Sequence, residues 1–386
     1  MLDYFLTEEQ RMMRDTAREI ADKKIRPVRA HYDESQEFPR DVFQAIADAD
    51  LCGVYIPDEY DGCAGQTGIM NMCVVTEELS KACGGISLSF AGTALGTLPI
   101  MIAGSDEQKK RFLPRIAKGT LAAFGITEPE AGSDAASMRC SAVRDGDGYI
   151  LNGTKLFITN GGEADVYTVF AMTDKTKGAR GASCFILEKG MPGFSFGKKE
   201  DKLGIRASTT RELVFQDCRV PAANLLGREG TGFMTAMKTF DNSRPGVGSQ
   251  ALGIAAGALE HAIKYATTRK QFGRPIAANQ GLQWMLADMA MQVEAARALI
   301  YATARYIDAG AKRPTCYSAM SKCFASDVAM KVAIDAIQIF GGVGYTKEYP
   351  IEKYARDAKI TQIYEGTNQI QRDEIAKALI KEFGEG

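Results

Sequence analysis

A chain of 386 residues, 45% of them hydrophobic, can bury a large core, but single cores stop growing near roughly 250 to 300 residues, so more than one domain is expected. Its 47 basic and 48 acidic side chains leave a formal net charge of −1, which excludes the basic excess that draws proteins to nucleic acid or anionic lipid. Nine cysteines, an odd number without a C-x-x-C pair, argue against zinc sites and a secreted disulfide framework, and for thiols in a reducing compartment.

The opening segment, MLDYFLTEEQRMMRD, carries acids early and lacks the positive region and small-residue cleavage site of a signal peptide. From Thr7 to about Ile116 apolar residues recur at helical spacing, and Thr7 with Gln10 three positions on predicts a capping box. The most apolar stretch, Ala94 to Gly104, falls short of the roughly 18 residues needed to span a bilayer, so a soluble cytoplasmic protein is predicted. After Leu121 the pattern becomes short β-rich runs: LAAFGIT, GYILNG, TKLFITN, DVYTVFAMTD, ASCFILE and TRELVFQD. Turn signals at Asp145-Gly146-Asp147-Gly148, Asn152-Gly153 and Asn160-Gly161-Gly162 punctuate them as an antiparallel sheet would be punctuated.

Helical periodicity returns from about Gly232. Met289, Val293, Ala296, Ile300, Ala304 and Ile307 fall on one stripe, and Gly310 offers a C-cap. The predicted fold class is a multi-domain α+β chain. It has a helical N-terminal domain over 1–120, an antiparallel middle β-domain over 121–231 and a four-helix-bundle-like α domain over 232–386.

Both histidines, His31 and His261, sit in apparently helical segments away from any Ser or Cys motif, so Ser-His and Cys-His hydrolysis are disfavoured. No G-x-G-x-x-G follows a strand, which disfavours a nicotinamide Rossmann domain. Two segments are more specific: Gly125-Ile126-Thr127-Glu128-Pro129-Glu130-Ala131-Gly132-Ser133-Asp134, and Gln338-Ile339-Phe340-Gly341-Gly342-Val343-Gly344-Tyr345 with Glu348, Lys353 and Asp357 beyond it. Together with Arg269-Lys270-Gln271-Phe272-Gly273 and Tyr364-Glu365-Gly366-Thr367-Asn368-Gln369-Ile370-Gln371, they make the chain resemble the acyl-CoA dehydrogenase family over essentially its whole length. The closest likeness is to short- and medium-chain, butyryl-CoA-like enzymes or to bacterial alicyclic acyl-CoA dehydrogenases.

A Gly-rich, hydroxyl-bearing loop leaving a strand offers donors to a polar ring edge or to phosphates. The resemblance implies FAD, with Phe124, Ile126 and Thr127 along its ring system and Ser133 on flavin phosphate or the pantetheine of the substrate. Phe157 matches an aromatic covering one flavin face and Thr159 a hydroxyl near N5; many relatives carry Trp where Phe157 stands. Arg269 is implied at the pyrophosphate, with Gln271 and Phe272 near the adenosine half. A neighbouring subunit's Gln338, Gly341 and Gly342 complete that half, and Thr367 and Gln369 are matched to the ADP portion. A site shared between chains implies an oligomer, by family norm a homotetramer.

Abstraction of a proton beside a thioester needs a carboxylate over one face of the carbon, with the flavin at the other. Glu365 matches the family's base. Members that move the base put it on a C-terminal helix, where this chain has Ser243 in FDNSRPG. The thioester carbonyl is implied to be polarised by the backbone N–H of Glu365 and a ribityl hydroxyl of FAD. Burial is expected to raise the Glu365 pKa. Asp241 and Arg244 resemble residues of the CoA channel, Arg244 bonding pantetheine or holding the Glu365 loop.

Residues 84–101 are implied along the acyl pocket and carry no charge. Ile86 stands where the glutaryl-CoA branch has an arginine, which disfavours a dicarboxylate substrate. Ala91 and Gly92 are small enough to predict room for an alicyclic group, a linear butyryl to octanoyl chain being the default. Electrons are implied to pass to an electron-transferring flavoprotein, with Glu212 matching a docking acid. The alternatives are a flavin acyl-CoA oxidase, which differs in oxygen access to the pocket, and a non-catalytic scaffold; Glu365 and the full flavin set argue against the scaffold. The implied location is bacterial cytoplasm, or the mitochondrial matrix in a eukaryote.

Overall fold

A computed structural model describes residues 2–384. The chain opens with helices α1 (Glu8–Ile20), α2 (Arg29–Ser35), α3 (Arg40–Asp48), α4 (Gly68–Ala82), α5 (Gly84–Ala103) and α6 (Asp106–Ala117). The predicted capping box is present: the Gln10 N–H donates to Thr7 Oγ1 and the Thr7 N–H to Gln10 Oε1, both at 3.2 Å. Two donors that a helix start leaves without partners are thereby satisfied. Ser105 and Gln108 repeat the device at α6. The apolar helix α5 extends further toward the N-terminus than the predicted stretch. By length and composition it would span a bilayer, yet 72% of its apolar window is buried inside the molecule, which makes it the core helix of this fold.

Eight strands follow: β1 (Ala122–Gly125), β2 (Ser141–Asp145), β3 (Gly148–Thr159), β4 (Val166–Met172), β5 (Ala182–Glu188), β6 (Phe194–Lys199), β7 (Thr210–Pro221) and β8 (Leu225–Leu226). They form one sheet in the order β6-β7-β3-β2-β4-β5-β8, with β1 also on β4. The sheet is mixed rather than purely antiparallel, because β1 and β2 each run parallel to β4. The β2–β3 hairpin lies between β1 and β4 in sequence and supplies the long connection that a parallel pair needs, which local turn signals do not report. Every residue of β4 is buried, as a strand covered on both faces requires.

The turns at 145–148 and 160–162 stand as predicted, but Asn152-Gly153 is not a turn. GYILNG and TKLFITN are one strand, β3, and the pair is a bulge where the register against β7 shifts between Leu151 and Gly153. Gly153 takes φ 140°, and the Asn152 side chain fixes the bulge by accepting from the Asp217 N–H at 2.8 Å.

Helices α7 (Gly232–Thr268), α8 (Gln280–Asp308), α9 (Thr315–Phe340), α10 (Ile351–Thr361) and α11 (Asn368–Phe383) complete the chain. Between α7 and α8 lies a small hairpin, β9 (Lys270–Gln271) with β10 (Arg274–Pro275). On the predicted α8 stripe Met289, Val293, Ala296, Ile300 and Ala304 are buried and Ile307 half-buried. Apolar residues of all three segments join in one continuous core. The motif residues Lys353 and Asp357 make a buried ion pair within α10, and Asp357 also accepts from the Ile205 N–H at 2.6 Å. They tie α10 to the segment before β7 and stand away from the cavity described next.

Candidate active site

The three segments enclose a cavity of about 620 Å³. One wall is α5, through Leu88, Ala91, Gly92 and Leu95. A second is the loop leaving β1 with the end of β3, through Phe124, Ile126, Thr127, Ser133, Phe157 and Thr159. The third is α7, through Asp241, Ser243 and Arg244, and the loop between α10 and α11 brings Tyr364 and Glu365 across from it. The cavity thus gathers residues spread from Met72 to Lys377.

The strand-end wall suits a flavin. Ile126 and Thr127 lie just past β1 and line the cavity, and among the described residues neither backbone N–H has an acceptor, so both are available as donors. Phe157 sits at a second bulge of β3 with φ 57°, which turns its ring out of the strand's packing faces; it is 61% exposed and available for stacking. These donors and this ring are what a planar, polar-edged heterocycle requires. The hole left by Gly92 is not free space: a Cβ there would lie 2.7 Å from Thr159 Cγ2, so the glycine permits α5 to touch β3. The room expected beside Ala91 for an alicyclic group therefore shrinks to that offered by Ala91.

Glu365 takes a left-handed φ of 50°, a conformation a non-glycine residue adopts only when its surroundings impose it. Those surroundings are specific. Lys322 on α9 donates from Nζ to the Gly366 carbonyl at 2.8 Å and to Asn368 Oδ1 at 3.0 Å. Gln371 on α11 donates from Nε2 to the carbonyls of Glu365 at 2.9 Å and Gly366 at 3.0 Å. Thr367 caps α11 by accepting from the Ile370 N–H at 3.3 Å. The loop is held by Lys322 and Gln371, which leaves Arg244 the other of its two expected roles, on the pantetheine. No hydrogen bond links Arg244 to the loop among the described residues; its guanidinium lies 5.8 Å over the Phe240 ring, with a buried Nε that has no partner.

The Glu365 carboxylate accepts a hydrogen bond from the Ser243 hydroxyl. Burial raises its pKa above the ordinary carboxylate value, while Ser243, Arg244 and Lys322 pull it back. Burial likewise raises Asp241, which accepts from Thr315 Oγ1 at 3.0 Å, and lowers Lys322 to about 8. Among the described residues the Glu365 N–H has no acceptor. At the buried end of the cavity the Tyr364 hydroxyl bonds to Gln250 Oε1, and Gln250 Nε2 donates to the Gly84 carbonyl at 2.9 Å. Lys322, Gln250 and the role of Gln371 are not legible in the sequence; a lysine among small and apolar helical residues is the mark Lys322 leaves.

Other predicted residues lie outside the cavity. Ile86 is fully buried in the core and is not in its wall, so the charge argument passes to the lining of the buried end, where Met72, Leu88, Val247 and Gln250 are uncharged. Arg269 ends α7, and Gln271 and Phe272 belong to the exposed turn after it, with Phe272 99% exposed. Gln338, Gly341 and Gly342 are exposed at the end of α9. Tyr265 stacks on Phe340 at 4.2 Å, so these two surface segments lie side by side on one chain. Gln369 is exposed on the first turn of α11. Glu212 is half-covered on β7 against Gly197 of β6 rather than freely projecting.

The acyl-CoA dehydrogenase N-terminal, middle and C-terminal domain families match residues 7–120, 123–218 and 230–380. The chain is 48% identical over 374 residues to the short-chain-specific acyl-CoA dehydrogenase of Clostridium acetobutylicum, covering 96% of this chain and 98% of that one. The butyryl-CoA dehydrogenase structure from Megasphaera elsdenii is similar with a TM-score of 0.95 at 46% identity, over 98% of this chain and 100% of that one. A chain in a structure described as the electron transferring flavoprotein of Acidaminococcus fermentans is similar with a TM-score of 0.95 at 51% identity, over 98% and 100%. With all three domains matched in order and relatives this similar along its whole length, the chain belongs to the acyl-CoA dehydrogenase family of flavoprotein oxidoreductases.

Proposed function

We propose that the protein uses FAD to convert a short, saturated, apolar acyl-CoA into the 2-enoyl-CoA. The observation that carries this reading is the coincidence at Glu365 of a half-buried carboxylate whose pKa is raised by desolvation and a backbone N–H without an acceptor among the described residues, in the same cavity that Ile126 and Thr127 line. FAD, when bound, accepts the β-hydride. The chain does the rest. The Glu365 carboxylate takes the α-proton, its N–H donates to the thioester carbonyl, and the electron pair left on the α-carbon closes the double bond as hydride leaves the β-carbon. Arg244, with its unpartnered Nε, and Ser133 are suited to the pantetheine, with Asp241 beside them. Phe124, Phe157 and Thr159 would bracket the ring system.

Arg269, Gln271, Phe272, Thr367 and Gln369 would serve the adenosine half, with Gln338, Gly341 and Gly342 offered to a neighbouring subunit's cofactor. The exposure of all of these but the half-buried Thr367, outside the cavity of a single chain, supports sites completed between subunits of a homotetramer. An electron-transferring flavoprotein as acceptor is supported by the similar chain in the Acidaminococcus structure. The Gln250–Tyr364 pair closing the buried end supports a short chain, as do the short-chain-specific and butyryl-CoA relatives.

Anaerobic mixing with butyryl-, octanoyl-, cyclohexanecarbonyl- and glutaryl-CoA tests the reading through bleaching of the flavin. Butyryl-CoA is expected to be fastest and glutaryl-CoA slower by about 10²-fold or more, since an unpaired carboxylate in an uncharged pocket costs several kcal/mol. Preference for glutaryl-CoA, or reaction only with oxygen as acceptor, would overturn it.

The base must be ionised, so the rate is present above the Glu365 pKa and lost as pH falls through it. Ser243→Ala removes a donor that stabilises the carboxylate. The acid limb of the rate of flavin reduction is expected to move to higher pH while the high-pH plateau changes little. A limb that stayed in place, or moved down, would contradict the Ser243–Glu365 contact.

A further inference from the structure

Behind the loop that leaves β1 lies a lysine with no part in the chemistry above. Lys155, on β3, is 0% exposed. Its Nζ donates to the Ile126 carbonyl at 3.0 Å and pairs with Glu128 Oε1 at 2.6 Å. Glu128 also accepts from the backbone N–H groups of Arg139 at 2.6 Å and Cys140 at 3.0 Å, so its charge is spread over three donors. The Thr127 carbonyl accepts from the Leu156 N–H at 2.8 Å. β3 therefore grips two consecutive carbonyls of the loop from one side.

Peptide geometry gives this grip a consequence. In a trans peptide the C=O and the following N–H point opposite ways, and no peptide bond here is cis. The Ile126 carbonyl points at Lys155, so the Thr127 N–H points away from it, and that N–H has no acceptor among the described residues. Ile126 and Thr127 both line the cavity. A cation on a carbonyl draws electron density along the peptide and makes the N–H at its other end a stronger donor, an effect magnified where water is excluded.

We propose that Lys155 tunes the flavin: seated on the Ile126 carbonyl, it strengthens the Thr127 N–H as a donor and so raises the flavin's reduction potential. The inference rests on the reading that a flavin lies along Ile126 and Thr127. Reduction adds negative charge to the ring system, so a stronger donor at its edge favours the reduced form over the oxidised one. Lys155 is thus a positioning and tuning residue, touching the cofactor only through a peptide.

The test is the two-electron potential of the purified flavoprotein, measured against a reference dye. Lys155→Met is expected to shift the equilibrium about tenfold toward the oxidised form, roughly 30 mV more negative for a two-electron couple. Glu128→Gln keeps the cation and removes its counter-charge, so it is expected to shift the potential the other way. A merely structural staple would loosen the loop in both variants and move both potentials in one direction, and that outcome would overturn the proposal. So would an unshifted potential in Lys155→Met at full flavin occupancy. Should Lys155→Met lose flavin, Glu128→Gln is compared with the charge-free Lys155→Met/Glu128→Gln double variant, which must lie at the more negative potential. Wild-type protein that binds no flavin would overturn the underlying function as well, whereas a normal wild-type potential with no charge dependence would overturn this inference alone.

Discussion

Glu365→Gln is expected to slow flavin reduction by substrate about 10²- to 10⁴-fold, the usual worth of a positioned general base, with flavin content unchanged. The substitution keeps the side-chain volume and the backbone N–H, which has no acceptor among the described residues. It removes only the group able to accept the α-proton. Asp134, Asp241 and Glu374 also line the cavity, and among the described residues none of them makes a hydrogen bond to the Glu365 loop. Ser243 is the side chain that touches Glu365 from α7, and a hydroxyl at its ordinary pKa is no substitute. Asp241, also in the cavity wall, is engaged by Thr315. Stopped-flow reduction by butyryl-CoA, with product-CoA binding measured in parallel, separates lost chemistry from lost binding. A variant that reduced its flavin at nearly the wild-type rate would show that another group is the base. The Ser243–Glu365 contact also makes Ser243→Glu in a Glu365→Gly background an informative companion, because a carboxylate on that helix would reach the same part of the cavity.

Lys322→Met is expected to lower the same rate about 10²-fold, the scale associated with misplacing a reacting group by about 1 Å, and to destabilise the fold by about 1–3 kcal/mol. Lys322 is fully buried, and its two bonds reach the Gly366 carbonyl and Asn368 Oδ1, the residues directly beyond the base. Without it the Gln371 bonds are left to hold the carbonyls of the left-handed Glu365 and of Gly366 against their tendency to relax. Urea unfolding monitors the stability loss, and stopped-flow reduction of the flavin-saturated variant monitors the base. Lost stability with an unaltered rate would reduce Lys322 to a packing residue. A rate loss with KM little changed is the expected pattern, since Lys322 contacts the loop and not the cavity.

Some of this molecule is written locally. Thr7 and Gln10 sit at the spacing of a capping box and make one. The α8 stripe recurs every three to four residues and is buried as such. Helical periodicity resumes at Gly232, where α7 begins. Each of these is an interaction between residues within about one helical turn, so the short-range pattern contains it. The order of helices, sheet and helices follows from the same signals, and the motif containing Glu365 announces itself by residue type and spacing.

The errors have a common physical origin. Asn152-Gly153 reads as a hairpin turn because Gly accepts positive φ, but whether the chain reverses or bulges there depends on β7, some sixty residues on. Gly92 reads as space for a ring, and the Thr159 methyl already fills it. The parallel placement of β1 on β4 depends on how the β2–β3 hairpin packs.

The sequence by itself determined which segments coil, which extend, and which residue types were available for proton abstraction and for offering N–H donors to a flavin. The tertiary structure alone decided that Ser243 touches Glu365, that Lys322 and Gln371 hold it in a left-handed conformation, and that Lys155 backs the Ile126 carbonyl. The contacts of Ser243, Lys322 and Lys155 join residues 122, 44 and 29 positions apart. No periodicity or turn signal reaches across such distances, and burial, which sets the Glu365 pKa, exists only once the segments have packed.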